Sequence, residues 1–127
     1  MHQAKELGAN KVALGHHADD MIETFLLSFI YEGRLSTFMP VTYMSRADIT
    51  CIRPMALVPE KKILNISSNY PVVKNTCPAD KHTNREYVKN IITSIKEKVK
   101  ISEINMINAL VHTERYNLLD KLNKNEE

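Results

Sequence analysis

Glycine is scarce in this chain. There are three, Gly8, Gly15 and Gly33, in 127 residues, where about nine would be ordinary. No two lie close enough to build a glycine-rich phosphate loop. A triphosphate cradle of that kind is therefore excluded from these residues. Cysteine is nearly absent too. Cys51 and Cys77 cannot make a disulfide framework. There is no tryptophan, and the formal charge is +2, so composition alone does not announce nucleic-acid binding. No apolar run reaches the roughly 18–20 residues of a membrane span. The first residues, Met1 to Leu7, contain no apolar signal-peptide core. These absences predict a soluble, cytoplasmic protein with no membrane partner.

What is present is ordinary globular material, 43% hydrophobic and 25% charged, long enough to bury a core. Residues 2–7 read as the last turns of a helix, with Gly8 at the position past its end that tolerates positive φ. Lys11-Val12-Ala13-Leu14 reads as a short buried strand. A helix follows over Asp19–Tyr31, its face drawn by Met21, Ile22, Phe25, Leu26, Phe29 and Ile30, with Gly33 as its stop. Helix alternating with strand predicts an α/β unit with at least one parallel strand. Val41–Met44 and Ile49–Ile52 are β-prone, and Ser45–Asp48 suits a hairpin connection between them. Pro59 opens another helix from its first turn, and Pro71-Val72-Val73 is an extended step.

The last long helix begins near Thr83, which has capping-box spacing to Glu86. Its stripe is Val88, Ile91, Ile92, Ile95 and Val99. Arg85, Lys89, Lys96 and Lys100 fall together on one flank. Between Lys74 and Lys100 seven basic residues face three acids, a local net of +4. Such a flank can contact RNA phosphates or simply be solvated. Ile104, Ile107 and Leu110-Val111 mark a further amphipathic helix, and residues 121–127 form a polar tail prone to fray.

The densest chemistry is Gly15-His16-His17-Ala18-Asp19-Asp20. It lies between a strand and a helix N-terminus, where ligands of open α/β sheets gather. Gly15 lets a ligand approach the backbone closely. Two imidazoles and two carboxylates can bind Mg²⁺, polarise a phosphate or move a proton. The plainer reading is that first-turn acids complement the helix dipole, with Asp20 and Glu23 as a cap. A zinc centre would need ligands from elsewhere, and His2, His82 and His112 are scattered. Cys77-Pro78-Ala79-Asp80 offers one thiolate for a metal, an iron–sulfur cluster or sulfur carriage. Composition by itself favours the plainer reading, a tolerated loop cysteine. Cys51, within an apolar strand, reads as a small buried hydrophobe.

Taken together these residues resemble the tRNA 2-thiocytidine biosynthesis family of the PP-loop, or N-type ATP pyrophosphatase, superfamily. The resemblance runs through Lys5–Ala9, Val12–Asp20, Glu23–Leu27 and Tyr31–Pro40. It continues through Ile52–Met55, Val58–Lys61, Pro71–Val73 and the Cys77–Asp80 loop, to about residue 112. The Gly-His-His-x-Asp-Asp core is shared with tRNA lysidine synthetases, the alternative within the superfamily. Tyr31-Glu32-Gly33-Arg34-Leu35 with Met39-Pro40 points to the thiocytidine branch.

The resemblance implies a partial Rossmann-like, adenine nucleotide alpha hydrolase-like sheet with flanking helices and a C-terminal helical segment. Residues 1–76 would be the C-terminal part of a PP-loop domain, and 77–120 a cysteine loop with helices. It implies ATP, Mg²⁺ and an iron–sulfur cluster as cofactors, and tRNA, ATP and a sulfur donor as partners. In the implied reaction the C2 carbonyl of an anticodon-loop cytidine is adenylated, pyrophosphate leaves, and sulfur displaces AMP. Gly15 and His16 would line the nucleotide pocket. Asp19 and Asp20 would serve Mg²⁺ or catalysis. Cys77 would ligate the cluster, Arg53 would contact phosphate or tRNA, and Arg85 and Lys89 would contact tRNA. The family's Ser-Gly-Gly-x-Asp-Ser loop and central Cys-x-x-Cys are missing here, Asp80 replaces the second C-terminal cysteine, and residues 63–70 run slightly short. The chain therefore reads as the C-terminal half of such an enzyme, inactive alone. It would be completed by an N-terminal half or a homodimer, or else serve as a noncatalytic binding module.

Overall fold

A computed structural model describes residues 2–71 and 84–120. The elements in chain order are α1 (His2–Glu6), β1 (Lys11–Ala13), α2 (Ala18–Leu27), β2 (Val41–Met44), β3 (Ile49–Ile52), α3 (Glu60–Ser67), α4 (Asn84–Lys98) and α5 (Ser102–Val111). A π-helical turn, Ser28–Glu32, extends α2, and a 3-10 turn, Thr113–Arg115, follows α5. The expected Cys77 loop, the Thr83 cap, His82, Val72-Val73 and the tail lie outside the described residues.

The three strands form one mixed sheet in the order β1-β3-β2. β2 and β3 are the expected hairpin, antiparallel with Val41 opposite Ile52 and Met44 opposite Ile49. Its turn needs one left-handed residue, and Asp48 supplies it at φ 51, a conformation short polar side chains tolerate. Asp48 also accepts hydrogen bonds from Tyr43 Oη at 2.7 Å and from Lys5 Nζ at 3.3 Å. β1 joins the other side of β3 in parallel, Lys11 beside Thr50 and Ala13 beside Ile52. One more bond, Leu14 N–H to the Ile52 carbonyl at 2.8 Å, carries the pairing past the strand end.

The strand at 11–14 is real but not buried as expected. Lys11 and Ala13 are exposed and Val12 is half-buried. Among the described residues β1 is an edge strand, with β3 as its one neighbour. β3 is the central strand, and it alternates as a half-buried strand should, with Ile49 and Cys51 inside. The small-hydrophobe reading of Cys51 therefore holds.

The helices stop where the glycines predict. Gly8 has φ 80 just past α1, and Gly33 has φ 67 after the π turn. Pro59 sits one position earlier than expected, as the extended residue capping α3 rather than inside its first turn. The helical core lies where α2 meets α4 and α5. Ile22, Val88 and Ile92 are buried there, with Leu26, Leu27, Met106, Ile107 and Leu110 packed around them. The α4 stripe is covered only in its first half. Val88 and Ile92 are buried, whereas Ile95 and Val99 are exposed, because α5 starts at Ser102 and folds back over the earlier turns of α4.

Candidate functional site at the carboxyl edge of the sheet

β1 and β3 run in parallel, so their carboxyl ends open on the same edge. Gly15 and His16 follow β1, and Arg53 follows β3. Residues 37 apart in sequence thereby meet: Arg53 Nε donates to His16 Nδ1 at 3.0 Å. An Nδ1 that accepts cannot also carry a proton, so the ring proton sits on Nε2. Phe38 stacks on His16 with ring centroids 4.3 Å apart and planes 8° from parallel. The Arg53 guanidinium carbon lies 4.8 Å from the centre of the same Phe38 ring, a cation–π distance.

This group is pinned by the loop before β2. Thr37 Oγ1 donates to the Met21 carbonyl at 2.6 Å. Arg53 N–H donates to the Pro40 carbonyl at 2.9 Å, and Arg53 Nη1 to the Met39 carbonyl at 2.7 Å. A Cβ placed on Gly15 would meet only the Met55 Cε, at an ordinary 3.8 Å. The chain's own packing therefore does not require glycine there.

The acids at the head of α2 are arranged differently from one another. Asp20 Oδ2 accepts the His17 backbone N–H at 2.9 Å, which is the reach-back half of a capping box. Asp19 is buried. Its Oδ1 accepts the Glu60 backbone N–H at the start of α3 at 2.8 Å, and its Oδ2 accepts from Lys96 Nζ at 3.4 Å. Lys96 also stands 3.5 Å from Glu103 on α5. Burial pushes the Asp19 carboxyl up, but hydrogen bonds from Glu103, the Glu60 amide and Lys96 more than offset it and hold the group below the usual value. Burial and the adjacent Asp19 push Glu103 up to about 7. For Lys96, burial acts downward, and the attraction of Asp19 and Glu103 leaves it raised. Asp19 thus ties α2, α3, α4 and α5 together. His17 lies among the same acids, within 4.0 Å of Asp19, Asp20 and Glu60.

Two members of the basic flank point inward. Arg85 Nη1 donates to Glu23 at 3.1 Å and Nη2 to Thr24 Oγ1 at 3.2 Å. Glu23 is buried, which raises its carboxyl despite Lys89 and Arg85 nearby. Lys89 and Lys100 are exposed. The structure therefore brings His16 and Arg53 together with Phe38, and splits Asp19 from Asp20 by role. Phe38, Glu60 and Glu103 were not singled out from sequence, since their partners lie far along the chain.

Among the described residues no three His, Cys, Asp or Glu side chains converge as metal ligands, and the Asp19 oxygens already have partners. Among the described residues no helix is long and apolar enough to cross a membrane.

No protein-family model matches the chain. Among curated proteins it is similar to the tRNA-cytidine(32) 2-sulfurtransferase of Citrifermentans bemidjiense, 35% identical over 122 residues that cover 93% of this chain and 48% of that protein. It is 34% identical over 121 residues to the protein of the same name from Syntrophotalea carbinolica, covering 92% and 47%. It is 31% identical over 121 residues to tRNA-cytidine(32) 2-sulfurtransferase 1 of Francisella philomiragia, covering 93% and 47%. The chain spans about half the length of the curated relatives it matches.

Proposed function

Homology over 93% of its length assigns the chain to the tRNA 2-thiocytidine biosynthesis family of the PP-loop superfamily, and from that premise we propose that it is the C-terminal part of an ATP-dependent tRNA-thiolating enzyme, noncatalytic by itself. The homology to cytidine sulfurtransferases carries this reading. The reaction would exchange the C2 oxygen of a tRNA cytidine for sulfur. The carbonyl oxygen attacks the α-phosphate, pyrophosphate leaves, and a sulfur nucleophile then displaces AMP. This chain's share is the sheet edge. Gly15 leaves the backbone open to a nucleotide, and His16 and Arg53 present N–H donors to its phosphates. Asp20 keeps Oδ1 without a partner among the described residues, which suits a proton or metal-nucleotide role. Asp19 holds the elements behind it. Lys89, Arg53 and Arg85 would contact tRNA, Arg85 only by giving up Glu23.

The chain is noncatalytic by itself because its three glycines are widely separated. A phosphate cradle needs successive backbone N–H groups converging on one anion, and no glycine-rich segment of that kind occurs in the sequence. Cys77 gives one thiolate, and a cluster would need ligands from another polypeptide or segment.

The test is reconstitution. The chain is mixed with a polypeptide carrying the Ser-Gly-Gly-x-Asp-Ser segment of a relative, then assayed for 2-thiocytidine in tRNA with ATP, Mg²⁺ and sulfide. Thiolation by the mixture, absent from either part, is the expected result. Thiolation by this chain alone would overturn the noncatalytic clause, and none in a mixture that forms a stable complex would overturn the enzyme assignment.

A further inference from the structure

We propose that Phe38 is the positioning residue of this edge, holding His16 and Arg53 as a two-donor subsite for a phosphoryl anion. The inference deepens the function proposed above and rests on it for where the phosphoryl group comes from. The subsite itself stands on geometry. His16 and Arg53 leave the carboxyl ends of adjacent parallel strands, the edge where α/β sheets take ligands. Both are half-buried, as is Phe38. The Nε–Nδ1 bond fixes the ring tautomer and leaves His16 Nε2–H as a donor. Among the described residues neither Nε2 nor Arg53 Nη2 has a hydrogen-bond partner, while Nε and Nη1 are committed to His16 and the Met39 carbonyl.

Two side chains with several rotatable bonds would ordinarily lose that alignment. Phe38 removes the freedom by packing one ring against both. The Thr37 bond to the Met21 carbonyl ties the residue before Phe38 to α2. Donors fixed before the anion arrives lose less entropy on binding. The arrangement makes no call on a glycine loop, so it is present in this chain.

Inorganic pyrophosphate is the probe, followed by calorimetry and by the ¹⁵N signals of the His16 ring in the 127-residue chain. The expected result is an Nε2–H tautomer without ligand, and pyrophosphate binding that shifts the Nε2 signal. Arg53→Met should weaken binding about tenfold or more, as loss of a charge-assisted hydrogen bond does. Phe38→Leu keeps apolar bulk but removes the stacking face. It should weaken binding about threefold to tenfold and let the His16 tautomers mix, with Phe38→Tyr restoring both. An Nδ1–H tautomer in the unsubstituted chain, or pyrophosphate that leaves the His16 signals unmoved, would overturn the subsite without any variant. So would a folded Phe38→Leu chain with unchanged affinity and tautomer. Competition separates the two sources of phosphoryl groups. Displacement of pyrophosphate by a nonhydrolysable ATP analogue marks a nucleotide subsite, and displacement by an anticodon stem-loop RNA marks a backbone contact. If pyrophosphate binds as described but the reconstituted mixture does not thiolate, the function fails and the subsite stands.

Discussion

Asp19 and Asp20 are adjacent carboxylates in the same helical turn, yet their surroundings give them different work. Asp20 completes a local cap on its own helix. Asp19 reaches an amide 41 residues away and an ammonium 77 residues away. Asp20→Ala should therefore cost about 1 kcal/mol, the usual worth of a cap. Asp19→Ala should cost about 2 kcal/mol, because it leaves the Glu60 N–H without its acceptor at a buried carboxylate position. Denaturant melts of the two variants check this, and equal losses would remove the distinction. The sequence pattern offered a cap of Asp20 with Glu23; the structure moves it back one turn, with His17 at the N-cap and Asp20 accepting its amide, while Glu23 pairs with Arg85 instead. The role of Asp19 was not legible in the sequence, since no local pattern reports a partner on another helix. The inward turn of Arg85 and Lys96 was within reach. At 100° per residue they lie only about 20° and 40° around the wheel from Ile92, which is buried.

At the scale of elements, the sequence located most of what formed. The hairpin, the α2 helix and its stop at Gly33, and the amphipathic α4 and α5 follow from periodicity and glycine placement. It missed the exposure of β1, because a three-residue apolar run looks the same at an edge as in a centre. Beside its apolar core, the contact of α5 with α4 carries the Lys96–Glu103 pair, and this predicts a pH dependence. Glu103 is raised to about 7 in the fold, against 4.5 in an unfolded chain. The folded state then binds a proton the unfolded state releases, so this stability is full below pH 4.5 and is lost as pH rises through about 7. Asp19 has the opposite sign, its contribution failing only as pH falls below the ordinary aspartate range. The melting temperature should decline between pH 5 and 7.5, and Glu103→Gln should flatten that decline. An unchanged slope in the variant would mean the proton is held elsewhere.

For the whole molecule the notable quantity is apolar surface left outside. Val41, Tyr43 and Met44 of β2 are exposed, as are Leu64 and Ile66 of α3, and α3 has no buried residue. The free side of β1 adds unpaired backbone groups among the described residues. Such edges and faces invite association. The chain should self-associate as concentration rises or melt with weak cooperativity. Sedimentation at several concentrations with a thermal scan checks this, and a sharp-melting monomer throughout would contradict it. The parallel pairing of β1 with β3 carries a further consequence, in time rather than in space. The β2–β3 hairpin closes a short loop and can form early, whereas β1 must be gathered across a long intervening segment. His16 and Arg53 meet only through that late step. Partly folded chains would hold a finished hairpin with His16 and Arg53 still apart, so their pairing matures last and is the first to go when the sheet loosens.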